Sequence, residues 1–207
     1  MTRPSPTLIA LVGNPNCGKT ALFNRLTGAR QKVGNYAGVT VERKEGQFTS
    51  PAGHTWRLLD LPGPYSLLAT TPDEAVTRDV ILGVRKDETP PQALVCVADA
   101  SNLALHLRMV LEMRSLGLPM VLVLNMMDMA AARGLHIDVQ ALSRELGLPV
   151  VPTVAVQTGG DLPLRALLED RAQWQYARAP LSGTGTDGGT PIDDEQGDHA
   201  TVQAMLQ

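Results

Sequence analysis

Apolar residues along this chain come in short unbroken runs, not in strict alternation with polar ones. "TLIALVG" (7–13), "ALVCVADA" (93–100), "PMVLVLN" (119–125) and "LPVVPTV" (148–154) each read as a strand covered on both faces. Amphipathic stretches lie between and after them: "KTALFNRLTG" (19–28), "DEAVTRDVILG" (73–83), "DVQALSREL" (138–146) and "LPLRALLEDRAQWQYA" (162–177) all carry a helical period. In "SNLALHLRMVLEMRSLG" (101–117), Leu103, Leu107, Val110 and Leu111 share one helical face, with Ser101 or Asn102 as the cap and Gly117 as the stop. "VERKEGQFT" (41–49) and "HTWRLLD" (54–60) flank the turn "SPAG" and predict a hairpin. "ARQKVGNYAGVT" (29–40) is polar, bears glycine, shows no period and reads as a long loop. The sum is an α/β fold: a mostly parallel six-stranded sheet with one antiparallel edge hairpin and helices on both faces. Ligands of such sheets sit at the carboxyl ends of the strands.

Composition narrows this picture. Of 207 residues 43% are hydrophobic but only 3% aromatic, so the core is built from Leu, Val, Ala and Met. A net charge of -3 gives no general attraction to nucleic acid, and none is expected as a partner. The two cysteines, Cys17 and Cys96, form no disulfide framework and suit a reducing compartment. His54, His106, His136 and His199 lack metal-ligand spacing. The amino terminus "MTRPSPT" is too short and polar for a signal peptide, and the stretch around "MVLVLNMM" is too short to span a bilayer. Residues 1–170 read as one domain and 171–179 as the end of its closing helix. Residues 180–199, "PLSGTGTDGGTPIDDEQGDH", read as a flexible acidic linker, and 200–207, "ATVQAMLQ", as the start of a truncated helical segment.

The chemistry concentrates in loops that follow strands. "GNPNCGKT" has phosphate-loop spacing: Gly13, Asn14, Pro15, Asn16, Cys17, Gly18, Lys19 and Thr20 join the first strand to the first helix. The glycines admit backbone geometries that a side chain would obstruct, amides from about Asn16 to Thr20 point at a β-phosphate, and the helix amino terminus adds its dipole. Lys19 bridges β- and γ-phosphates, and the Thr20 hydroxyl ligates Mg²⁺. "DLPG" supplies Asp60, Leu61, Pro62 and Gly63; the carboxylate holds Mg²⁺ through water, and the Gly63 amide meets a γ-phosphate. "NMMD" supplies Asn125, Met126, Met127 and Asp128; a carboxylate at Asp128 matches the adjacent N1–H and N2 donors of guanine, which adenine lacks, while Asn125 reaches N7 and braces the loop. After the last strand come Val154, Ala155 and Val156, with the Ala155 amide as donor to guanine O6.

The order phosphate loop, D-x-x-G, N-x-x-D resembles a Ras-like P-loop GTPase, whose ligand is GTP or GDP. Met126 departs from the lysine many members carry there; its thioether stem can still lie over the base. The superfamily resemblance makes "VGNYAGVTVERKEGQF" the first switch loop. There Gly38, Val39, Thr40, Val41 and Glu42 approach the nucleotide, and Thr40 contributes a hydroxyl to Mg²⁺ and a contact to the γ-phosphate. Loss of that phosphate releases Thr40 and Gly63 together.

The wording of "GNPNCGKTALFNRLTGARQKVGNYAGVTVERKEGQF", "LLDLPGPYSL", "TPDEAVTRDVI", "VADASNLALHL" and "LNMMDMA" closely resembles FeoB-type ferrous iron transport proteins of bacteria, from about Leu8 to Asp170. That resemblance implies a GTP-hydrolysing switch domain at the cytoplasmic face of the inner membrane, partnered by its own helical and membrane domains. It also implies a K⁺ held by Asn16 beside the phosphates, doing the work of an arginine. Pro64 stands where many Ras-like GTPases carry the water-positioning glutamine, so slow intrinsic turnover is expected. No obvious arginine finger is present, although Arg30 and Arg43 flank the switch loop; both read as exposed loop charges. Asp73 and Glu74 read as helix amino-terminal charges, with water positioning as the other option. Cys17 is either a small side chain tolerated in its loop or a thiol acidified by the helix amino terminus. Two rival classes stand beside this reading. A free-standing GTPase of ribosomes or tRNA would want a basic surface, and a small-molecule P-loop kinase would want ATP and an arginine-rich lid.

Overall fold

The computed structural model describes residues 6–28, 31–50, 52–63 and 71–170. The expected helix end at 171–179, the linker at 180–199 and the segment at 200–207 lie outside the described residues. So do Arg30 and Pro64.

Among the described residues seven strands form one sheet in the order β2-β3-β4-β1-β5-β6-β7. The strands are β1 Thr7–Gly13, β2 Gln31–Asn35, β3 Glu42–Thr49, β4 Thr55–Asp60, β5 Ala93–Asp99, β6 Met120–Asn125 and β7 Val150–Pro152. The β2–β3 and β3–β4 pairings are antiparallel and all others parallel. Successive side chains of a strand point to opposite faces, and the core divides accordingly. Leu8, Ala10 and Val12 of β1, Leu94, Cys96 and Ala98 of β5, and Met120, Leu122 and Leu124 of β6 pack on one face. Ile9 and Leu11, Val95 and Val97, Val121 and Val123 pack on the other.

Helices cover both faces. On the first lie α2 (Pro72–Ile81) through Val76, Val80 and Ile81, α3 (Leu103–Ser115) through Leu107, Val110 and Met113, and α5 (Val139–Leu146) through Leu142 and Leu146. The short α4 (Met127–Ala132) adds Ala130 to this face. On the second lie α1 (Lys19–Thr27) through Leu22, Phe23 and Leu26, and α6 (Leu162–Glu169) through Leu164 and Leu168. Phe48 and Trp56, opposed across β3 and β4, stack with ring centroids 6.4 Å apart.

Two expectations are corrected. The sheet has a seventh strand, because Gln31–Asn35 pairs with β3 in the register Gln31↔Gly46 to Asn35↔Glu42. Its Lys32, Val33, Gly34 and Asn35 are all exposed, so an edge strand here leaves no buried period to read. Asn102 is the N-cap residue of α3, as expected, but its side chain makes no capping hydrogen bond. A 3₁₀ turn, Ala100–Asn102, precedes the helix, and the Asp99 carboxylate accepts the Ser101 N–H at 2.7 Å. Finally, α4 was not anticipated at all, being too short to display a period.

Candidate functional site

The parallel strands β4, β1, β5 and β6 end on one rim, and the expected loops leave from there. At the end of β1 the chain needs left-handed backbone twice, at Asn16 (φ 63°) and Gly18 (φ 84°). Glycine at 18 is also a matter of space, since a Cβ there would fall 2.1 Å from the Asn125 Nδ2. A Cβ on Gly63 would fall 2.8 Å from the Gly13 carbonyl oxygen, so the D-x-x-G glycine lets the two loops touch backbone to backbone.

Asp60 closes β4 beside β1, with the Leu61 N–H donating to the Leu11 carbonyl at 3.0 Å. Its carboxylate, 7% exposed, pairs with the Lys19 ammonium. A cleft of about 320 Å³ opens around that pair, lined by Lys19, Thr20, Thr40, Val41, Glu42, Leu61, Pro62 and Asp60. The phosphate loop, the switch loop and the D-x-x-G loop therefore meet on one cavity. Two further liners, Lys44 and Asp73, also face it. Lys44 lies opposite Asp60 in the β3–β4 register and donates to Glu42 at 2.7 Å. Its place in the cleft follows from strand pairing, which no local pattern discloses.

Asn125 is the tie between the two ends of the site. Its Nδ2 donates to the Cys17 carbonyl at 2.9 Å, and its Oδ1 accepts the Ala155 N–H at 2.9 Å and the Thr153 hydroxyl at 3.3 Å. The bracing expected of Asn125 is present. The Ala155 amide, expected to face a base, is engaged with that side chain in this state. Met126 takes left-handed backbone (φ 61°) and Asp128 is exposed in the first turn of α4. Val156 is 72% exposed. Arg25 of α1 holds the same loop, donating to the Val156 carbonyl at 2.9 Å. Gly38, at the tip between β2 and β3, is exposed with open space around it.

Three side chains resolve into structural roles. Burial pushes the Cys17 thiol up to about 11, overriding the nearby Lys19 amide and charge, so the acidified-thiol reading is overturned. Arg43 is no idle surface charge: it gives Glu88 two hydrogen bonds of 2.5 and 3.0 Å and Glu45 one of 2.7 Å. Glu74 completes a capping box with Thr71 at the start of α2.

Oxygen donors from Thr20, Thr40 and Asp60 around one polar cleft are the hard ligands Mg²⁺ takes, so the residues present fit that ion. Among the described residues no group of three or more His, Cys, Asp or Glu is placed to hold a metal by itself. None of their helices is long and apolar enough to cross a membrane.

The family model described as ferrous iron transport protein B matches residues 7–166. The Fe(2+) transporter FeoB of Salmonella typhimurium is 48% identical over 165 residues, which cover 78% of this chain and 21% of that protein. Its counterpart in Escherichia coli K12 is 47% identical over the same length and coverage. The chain thus spans about a fifth of the length of these relatives. Among solved structures, the cytosolic domain of L. pneumophila FeoB aligns at 40% identity and a TM-score of 0.73, covering 82% of this chain and 70% of that one. The cytosolic domain of the T. maritima FeoB iron transporter in its GMPPNP form aligns at 39% identity and a TM-score of 0.77, covering 84% and 67%.

Proposed function

Since the chain belongs to the ferrous iron transport protein B family, we propose that it is the GTP-binding and GTP-hydrolysing switch domain of a bacterial Fe²⁺ transporter. It works at the cytoplasmic face of the inner membrane, and its partners are the helical and membrane parts of that transporter. The observation that carries this reading is the convergence of Lys19, Thr20, Thr40 and Asp60, from three separate loops, on one cleft. The GMPPNP form of the T. maritima relative supports it from outside.

In this account an entering triphosphate takes the Lys19 ammonium from Asp60, because two or three phosphate oxygens outbid one carboxylate for the same charge. The phosphate-loop amides wrap the β-phosphate, and Thr40 and the Gly63 amide meet the γ-phosphate. Thr20, Thr40 and Asp60 would hold Mg²⁺, which supplies charge neutralisation at the phosphate oxygens. Asp128 accepts from guanine N1–H and N2, Met126 lies under the base, and O6 shares the Ala155 amide with Asn125. Water attacks the γ-phosphorus, the bond to the bridging β-oxygen breaks, and GDP and inorganic phosphate leave. Proline at position 64 has no side-chain hydrogen bond to give that water, so turnover is slow. Asn16 would hold a K⁺, which would supply part of the missing positive charge.

Two measurements test this. Phosphate release from GTP is faster in KCl than in NaCl, and Asn16→Ala removes the difference; equal wild-type rates in the two salts end the K⁺ proposal. Asp128→Asn moves preference from guanine toward xanthine nucleotides, whose C2 carbonyl accepts from the new amide. Unchanged guanine affinity in that variant would remove Asp128 from the base site.

A further inference from the structure

Thr40 lies in the turn Tyr36–Val41, closed by a hydrogen bond from the Tyr36 N–H to the Val41 carbonyl at 3.0 Å. Ala37, Gly38 and Thr40 are exposed, and Gly38 takes left-handed backbone with open space around it. Little inside the turn fixes Thr40. It is fixed from outside, by the segment that follows α2.

On the amino-terminal side of Thr40, the Arg85 Nη2 donates to the Ala37 carbonyl at 2.7 Å. The same guanidinium lies over the Tyr36 ring, 5.6 Å from its centroid, and Tyr36 itself is 1% exposed. Asp87 accepts from that nitrogen at 2.8 Å and aims it. On the carboxyl-terminal side, Glu88 receives both bonds from Arg43 on β3. α2 is also anchored at the D-x-x-G loop, where the Thr77 hydroxyl donates to the Pro62 carbonyl at 3.1 Å. One helix and its trailing turn therefore grip the loop that carries Gly63 and the loop that carries Thr40.

We infer that Arg85 and Glu88 form a clasp: positioning residues that hold the Tyr36–Arg43 segment where Thr40 lines the phosphate cleft. The inference rests on the guanine-nucleotide reading above and deepens it, since it names the groups, remote from the nucleotide, that set the switch loop. Isolated surface ion pairs contribute little. The Arg85–Ala37 and Arg43–Glu88 contacts differ, because each joins parts of the chain distant in sequence and the Arg43–Glu88 pair is bidentate and part-buried. The seat is also releasable. The Tyr36 hydroxyl and the Arg85 Nε are both buried without a hydrogen-bond partner, so the docked arrangement leaves two polar groups unrewarded. A fully satisfied seat would hold the loop in every nucleotide state.

The test uses the 207-residue chain and variants Arg85→Ala, Arg85→Lys, Glu88→Gln and Thr40→Ala, with Arg78→Ala as a control for a local, part-buried ion pair within α2. GDP affinity, affinity for a non-hydrolysable GTP analogue, and the Mg²⁺ concentration for half-maximal hydrolysis are measured. Arg85→Ala weakens analogue binding and raises the Mg²⁺ midpoint by about tenfold, while GDP affinity stays within about twofold. Lysine at position 85 recovers part of the loss through its bond to Ala37, and Glu88→Gln gives the same selective defect in milder form. In the Thr40→Ala background, Arg85→Ala adds nothing further, because both act through one group. Equal loss of GDP and analogue affinity, full additivity with Thr40→Ala, or no effect of either clasp variant overturns the clasp. Should Arg85→Ala fail to fold, Glu88→Gln decides by the same selectivity. A wild-type chain that binds no guanine nucleotide fells the functional reading and the clasp with it; failure of the clasp alone leaves wild-type binding intact.

Discussion

Replacing Asn125 by alanine removes a side chain that joins the phosphate loop to the loop after β7. Its three hydrogen bonds go to the Cys17 carbonyl, the Ala155 N–H and the Thr153 hydroxyl. All four residues are buried. The Thr153 hydroxyl also has the Leu124 carbonyl at 3.4 Å, so its loss is small. The Cys17 carbonyl and the Ala155 N–H lose their Asn125 partner, and a buried group left unpaired costs about 1–3 kcal/mol. The sum is about 2–6 kcal/mol, toward the lower end where water fills the vacated space. For a domain of this size that lowers Tm by roughly 4–24 °C. Urea and thermal unfolding of nucleotide-free protein measure it directly. Asn125→Asp should do no better than alanine, because it keeps the acceptor for Ala155 but sets a carboxylate against the Cys17 carbonyl. A folded Asn125→Ala variant less than about 1 kcal/mol below wild type would refute the claim that this amide ties the site together.

Three further outcomes are expected. Gly18→Ala combines a left-handed backbone with a Cβ 2.1 Å from the Asn125 Nδ2, so it should abolish tight nucleotide binding; a variant with wild-type affinity would mean the loop repacks freely. Neither Cys17 nor Cys96 should react with a thiol reagent at pH 8 until the protein is unfolded, since burial raises both thiols and holds Cys17 at about 11; rapid labelling of native protein would contradict this. Burial lowers the pKa of His106, so the unfolded chain takes up that proton at a higher pH than the folded one. The stability associated with it is complete above the ordinary histidine value of about 6.5 and is lost as pH falls below that value toward the lowered folded one, with a slope of at most about 1.4 kcal/mol per pH unit. His106→Leu should flatten the decline between about pH 7 and pH 5, and an unchanged profile would assign that decline to other groups.

How much was legible beforehand divides along a physical line. β1, β5 and β6 announce themselves because helices cover both of their faces, leaving unbroken apolar runs. The phosphate loop, Asp60 and Asn125 were readable because each is a short local pattern at the end of such a run. β2 was not, because an exposed edge strand carries no burial signal and owes its existence to backbone pairing with β3. Arg25, Lys44, Arg85 and Glu88 were equally hidden as site-shaping groups. Arg25 meets Val156, Lys44 faces Asp60 across a strand pair, Arg85 reaches Ala37, and Glu88 holds Arg43. Such partners are fixed by topology, and charge along the sequence reports only that a charged residue exists. Cys17 marks the opposite failure, where a local rule about helix amino termini was overruled by burial.

The central claim is that this rim holds a guanine nucleotide with discrimination against adenine. Competition of unlabelled GDP and ADP against a fluorescent GDP, with Mg²⁺ present, tests it most directly. GDP should displace the probe, while ADP at a hundredfold or so higher concentration should leave it bound, because adenine cannot satisfy the Asp128 carboxylate. Equal displacement by the two nucleotides, or no uptake of the probe at all, would contradict the account.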